Sequence, residues 1–142
     1  MELFNSLQTI GQNILFENNV KKSRFIALVY EIDNETEARS VIKDVSIKYP
    51  DASHHCWALR LGVGNSEIEQ YSDDGEPVNS AGPPILQAIK QGQVTNLIVI
   101  VVRYFGGIKL GISGLIKAYR DTARMAIEKA GKKRKIFMHE IC

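Results

Sequence analysis

Three short stretches carry the residues that could do chemistry. Arg103 to Gly114, RYFGGIKLGISG, packs an arginine, two aromatics, a lysine and four glycines into a dozen residues. Glycine allows positive φ and close backbone approach, and a helix starting near Ser113 would point free amides at an anion. Arg103 and Lys109 supply matching charge, while Tyr104 and Phe105 offer flat surfaces for a base. Gly106, Gly107 and Gly111 would open the backbone, with positive φ expected at Gly107. The stretch contains neither GxxxxGK[ST] nor GxGxxG, so a nucleotide loop of either kind is excluded. A tight strand-to-helix corner whose glycines serve packing accounts for the same residues.

The second stretch, SDDGEP, gathers Asp73, Asp74 and Glu76. Their oxygens could hold a hard cation, but the spacing is not that of a calcium loop, and a solvated turn is the commoner outcome. In the third, His54, His55 and Cys56 could suggest a nucleophile with its base. Neighbours on a strand face opposite ways, so His55 cannot orient Cys56; His54 shares its face but has no evident partner to orient it. No catalytic residue, metal site or cofactor is assigned. A hydrolase built from Asp73, Asp74, Glu76 and His54 at the glycine corner is the competing reading.

The elements that position these stretches follow from periodicity. NILF and KSRFIALVYEI read as a hairpin, with Glu17-Asn18-Asn19 as the turn. Asn34 or Asp33 caps a helix, Glu37 completes a capping box, and Ala38, Val41, Ile42, Val45 and Tyr49 repeat at helical spacing until Pro50. HHCWALRLG alternates as a strand, and IEQYS follows as an edge strand. SDDGEPVNSAGPP is a loop, leading into a short helix capped by Ser80 or Asn79, with Pro83 or Pro84 in its first turn. Leu97 to Val102 is apolar on both faces and therefore central in the sheet. The last helix spans about 113–130 and ends at Gly131, with Lys117, Arg120 and Arg124 on its polar face.

The order β, β, α, β, β, α, β, α implies an α+β fold: a two-layer α/β sandwich of one mixed sheet, helices on one face, the other partly open. Residues 1–142 are expected to form one domain, with its core at about 18–130. Hydrophobic content of 44% suits a globular chain, and the apolar runs are far shorter than the ~20 residues of a membrane helix. A cytoplasmic location is the default, and Cys56 and Cys142 suggest no disulfide framework. Residues 1–80 carry a net −6 and residues 81–142 a net +8. Such asymmetry either pairs the two halves in the fold or leaves a basic face for phosphates. The run Lys132-Lys-Arg-Lys135 at the helix exit reads as a solvated face or, less commonly, a nucleic-acid contact.

KKSRFIA, HHCWALRLG, SDDGEP, AGPPIL and RYFGGIKLG, in this order and spacing, resemble the Impact/YigZ family across roughly residues 18–130. The resemblance implies the fold of domain two of the small-subunit ribosomal protein numbered five and of the fourth domain of the translocation elongation factor, relatives that contact RNA. It brings no established catalytic activity. Eukaryotic Impact proteins restrain a starvation-activated kinase of translation initiation through a separate N-terminal domain. Bacterial members usually carry a ferredoxin-like second domain, and a single-domain form without it is expected here. Val78-Asn79-Ser80 and Pro83 depart from the family's usual residues.

The expectation is thus a non-catalytic module that contacts RNA, the ribosome or a translation factor, or else a protein-only regulator, with no membrane partner. Arg103, Lys109, Lys117, Arg120 and Arg124 would meet phosphates. Arg103 is expected at the sheet's end, partly exposed and reaching an anion or the acidic loop. That loop and the glycine corner should share one cleft.

Overall fold

A computed structural model describes residues 2–140, with side chains for 7–136; Cys142 lies outside the described residues. Seven strands and three helices alternate in the order β1 (Glu2–Ile10), β2 (Ile14–Val20), β3 (Ser23–Glu31), α1 (Glu35–Lys48), β4 (His54–Leu61), β5 (Ile68–Ser72), α2 (Gly82–Gln91), β6 (Leu97–Tyr104), α3 (Gly111–Ala130) and β7 (Lys132–Glu140). Five strands form the main sheet in the order β2-β3-β6-β4-β5, while β1 and β7 form a separate two-stranded ribbon. The apolar β6 is central and β5 is an edge, as their patterns require.

The α+β architecture is the one expected, with three differences. Every pairing in the main sheet is antiparallel, so the sheet is not mixed. Its second face is not open either. Alternate residues of β3, β4 and β6 point to opposite sides. Phe25, Ala27, Val29, Cys56, Ala58, Val99 and Val101 pack under α2 and α3. Ile26, Leu28, Leu59, Ile98, Ile100 and Val102 pack with Ala38 and Val45 of α1. Two apolar faces on one sheet need two covers, and α1 is the second. The third difference is the β1–β7 ribbon, which turns the basic run after α3 into a strand. Lys133 and Lys135 reach Glu31 at 2.7 and 3.4 Å, and Lys135 reaches Asp33 at 2.6 Å. With Lys90 on Glu69, these contacts join the basic half of the chain to the acidic half.

The hairpin turn also moves. β2 and β3 pair from Ile14↔Val29 to Val20↔Ser23, leaving Lys21 and Lys22 as a two-residue loop, with φ 47° and 68°. Glu17, Asn18 and Asn19 lie within β2 instead. Asn34 caps α1 by accepting from the Glu37 amide at 2.9 Å, and the Glu37 carboxylate accepts from the Asp33 amide at 2.8 Å. Among the described residues no helix is long and apolar enough to cross a membrane.

Candidate functional site: the glycine corner and its buried ion pair

β6 ends at Tyr104, and the chain crosses the end of the sheet through Phe105 to Leu110 before entering α3. The loop between β5 and α2 lies beside that crossing, because β4 pairs with both β5 and β6. A cavity of about 310 Å³ is lined by Glu76 and Pro77 from the first loop, and by Arg103, Phe105, Lys109, Leu110 and Gly111 from the second. Of the acidic loop it is thus Glu76 that meets the glycine corner here, while Asp73, Asp74 and His54 are not among the lining residues.

Its floor is a buried polar network. Arg103 leaves β6 on the α2/α3 face, where Phe25 and Phe105 rings lie 5.8 and 5.5 Å from its guanidinium carbon. One guanidinium nitrogen, Nη1, donates to both Glu76 carboxylate oxygens, at 3.0 and 2.9 Å. The two side chains are only 7% and 3% exposed, which corrects the expectation of a partly exposed Arg103 in a weak surface pair. Tyr119 donates its hydroxyl to Glu76 Oε2, and the Cys56 sulfur lies 3.4 Å from that hydroxyl. His54 Nε2 is 3.3 Å from Glu76 Oε1, and its Nδ1 is 2.8 Å from the Asp74 carbonyl.

Burial drives the Cys56 thiol and the Tyr119 phenol far above their ordinary ranges, so neither ionises to become a nucleophile. Asp73 is also committed. Its carboxylate accepts from the amides of Asn79, Ala81 and Gly82 at 2.9, 3.1 and 2.8 Å. It therefore caps α2 from nine residues upstream, the role expected of Ser80 or Asn79; Ser80 instead donates to the Pro77 carbonyl. Asp74 accepts from the His55 amide at 2.7 Å. The acidic residues of SDDGEP thus face different partners, and among the described residues no group of three or more His, Cys, Asp or Glu converges to hold a metal.

Glycine has two distinct uses at the corner. A Cβ on Gly106 would sit 1.9 Å from the Lys22 carbonyl oxygen, so the β2–β3 turn packs directly on this glycine. Gly107 and Gly111 adopt φ of 90° and 75° with open space around them. The turn resting on Gly106 holds two lysines in the left-handed region, a geometry that favours Asn-Gly and costs other residues strain. No turn chemistry in Lys-Lys marks this position in the sequence.

The remaining candidates separate. Tyr104 points to the α1 face, where it donates to Asp51 at 3.0 Å beneath the Arg24 guanidinium. Phe105 is exposed and lines the cleft. On α3, Lys117 binds Asp121 at 2.9 Å, Arg120 and Arg124 approach the same carboxylate at 3.7 and 3.9 Å, and Arg124 also reaches Glu128 at 3.1 Å. Partial burial opposes ionisation of Asp121, yet these three cations hold its carboxyl below the ordinary range. Among the described residues Lys21, Lys22 and Lys109 make no ion pair; Lys109 lines the cavity and Lys22 packs on Gly106.

A family model for the Impact N-terminal domain matches residues 21–127. The chain is 38% identical over 116 residues to an IMPACT family member of Haemophilus influenzae, covering 81% of this chain and 56% of that protein. It is 39% identical over 117 residues to the IMPACT family member YigZ of Escherichia coli, covering 82% and 57%. The chain thus spans little more than half the length of these curated relatives. The crystal structure of a hypothetical protein superposes with a TM-score of 0.87 at 36% identity, over 92% of this chain and 64% of that one. The two-domain translational regulator Yih1 superposes with a TM-score of 0.53 at 29% identity, over 87% and 47%.

Proposed function

This chain belongs to the Impact N-terminal domain family, and from that premise we propose that it is a non-catalytic binding module of translational regulation that contacts RNA phosphates at the glycine corner. The description of Yih1 as a translational regulator supports the process. The observation that carries the RNA contact is the Lys21-Lys22 turn. Both residues have positive φ where lysine is a poor fit, and charge is what they add at that position. Lys109 extends the same surface, whereas Lys117, exposed on α3 but bound to Asp121 at 2.9 Å, is secondary to it.

The hydrolase reading loses support because its residues are already used. Asp73 caps α2, Glu76 neutralises Arg103, and His54 is held between Glu76 and the Asp74 carbonyl. Arg120 and Arg124 are secondary phosphate contacts, since Asp121 and Glu128 compete for them. Work on the translation apparatus would place the protein in the cytoplasm.

The test is fluorescence anisotropy with labelled single-stranded RNA across a salt series. Each phosphate contact contributes about −0.7 to the log–log slope. Lys21→Asn with Lys22→Gly should flatten the slope by about 1.4. The same variant should be at least as stable as the wild type, because Asn-Gly suits the turn. Arg120→Ala with Arg124→Ala should change the slope less. An unchanged slope in the turn variant would remove the proposed contact.

A further inference from the structure

Resting on the RNA reading above, we infer that the cleft at the amino end of α3 is a pocket for one nucleotide of a single strand, its phosphate on the helix amides and Lys109, its base in the cavity against Phe105. The 310 Å³ volume lies at the small end of the range for ligand pockets, room for one base with its sugar. Phe105, Leu110, Ile112 and Leu115 form its apolar wall. Phe105 is 49% exposed and Ile112 is 60% exposed, so the mouth presents apolar surface to solvent beside Lys109. Bases stack on such surfaces without requiring a given sequence.

The phosphate end rests on two independent features. α3 is 20 residues long, and Leu110 at its cap position makes no side-chain hydrogen bond to the first turn. Those amides therefore lack partners within the helix and carry its positive dipole end. A Cβ on Gly111 would meet nothing within 4 Å, which leaves the backbone approachable there. Separately, Arg103 lines the cavity with its side chain 7% exposed, and its buried Nε has no hydrogen-bond partner. Glu76 occupies Nη1, so the pair is neutral while the guanidinium keeps unused donors beside the cavity. Buried donors are rarely left unpaired, and base or phosphate oxygens are the acceptors this ligand class brings.

The experiment titrates the four nucleoside 5′-monophosphates and inorganic phosphate into the protein, followed by amide NMR, and measures single-stranded RNA affinity for Phe105→Ala and Ile112→Trp. Mononucleotides should shift the amides of Gly111, Ile112 and Leu115 and bind more tightly than inorganic phosphate. Loss of one stacked base in Phe105→Ala should weaken RNA binding about five- to 150-fold without changing the salt slope. Ile112→Trp, at an exposed position, should block the mouth and weaken mononucleotide binding while preserving the fold by NMR. Equal affinity for phosphate and mononucleotides would leave an anion site and overturn the base pocket. RNA binding at wild-type strength in both variants would overturn the pocket while leaving the lysine contacts standing. Absence of RNA binding by the wild type would instead overturn the reading on which the pocket rests.

Discussion

Replacing Arg103 by alanine should be among the most destabilising single changes at the glycine corner. The side chain is 7% exposed and its partner Glu76 is 3% exposed, with Nη1–oxygen distances of 3.0 and 2.9 Å. Removing one member of a buried pair costs about 3–5 kcal/mol, because the other charge stays buried without compensation. Tyr119 and His54 still face the Glu76 carboxylate, which favours the lower end, near ~3 kcal/mol. For a chain of this size that corresponds to a fall in Tm of roughly 6–12 °C. By contrast Gly107→Val adds strain of about 1–3 kcal/mol at a position with open space. Burial thus places Arg103 at or above Gly107, where an exposed pair worth at most about 1 kcal/mol would have ranked below it. Urea denaturation gives the comparison directly, read as a shift in midpoint at constant slope. The double variant Arg103→Met/Glu76→Gln should cost less than the sum of its single changes, since neither charge is left alone. A loss below 1 kcal/mol for Arg103→Ala, or strict additivity in the double variant, would refute the account of a mutually dependent buried pair.

The other glycine comparison separates sterics from backbone strain. Gly106→Ala places a Cβ 1.9 Å from the Lys22 carbonyl oxygen and must displace the β2–β3 turn, costing about 1–3 kcal/mol or more; the turn amides should shift by NMR, and an unperturbed Lys22 amide would contradict this contact. Acid stability offers a further check. Lys133, and Lys135 beside it, hold the Glu31 carboxyl below its ordinary value of 4.5. A depressed carboxyl contributes stability above its unfolded value that is lost as pH falls through the folded one. Lys133→Met with Lys135→Met should therefore lower the denaturation midpoint at pH 7 and flatten its decline below about pH 4.5. An acid limb identical to wild type would show that these pairs do not anchor the ribbon.

Local pattern alone determined much of this protein. Helical spacing from Ala38 to Tyr49, the Asn34 cap, the two-faced apolar run of β6 and the prolines opening α2 report short-range forces, and each element stands where those residues place it. The i,i+4 pairs Lys117–Asp121 and Arg124–Glu128 were also legible, and they would have removed part of the basic stripe from the phosphate site. What lies beyond the sequence is long-range. The turn falls on Lys21-Lys22 because the β2–β3 register sets Ile14 and Phe16 opposite Val29 and Ala27, against the core, overriding the better turn residues Asn18 and Asn19. The second sheet face needed α1, a choice that a helix's own period cannot state. Glu76 and Arg103 stand 27 residues apart, and only when β4, β5 and β6 align does the acidic loop close over the arginine. Charge is written in the sequence, but whether a charge meets water, RNA or a buried partner depends on burial, which the packed fold alone decides.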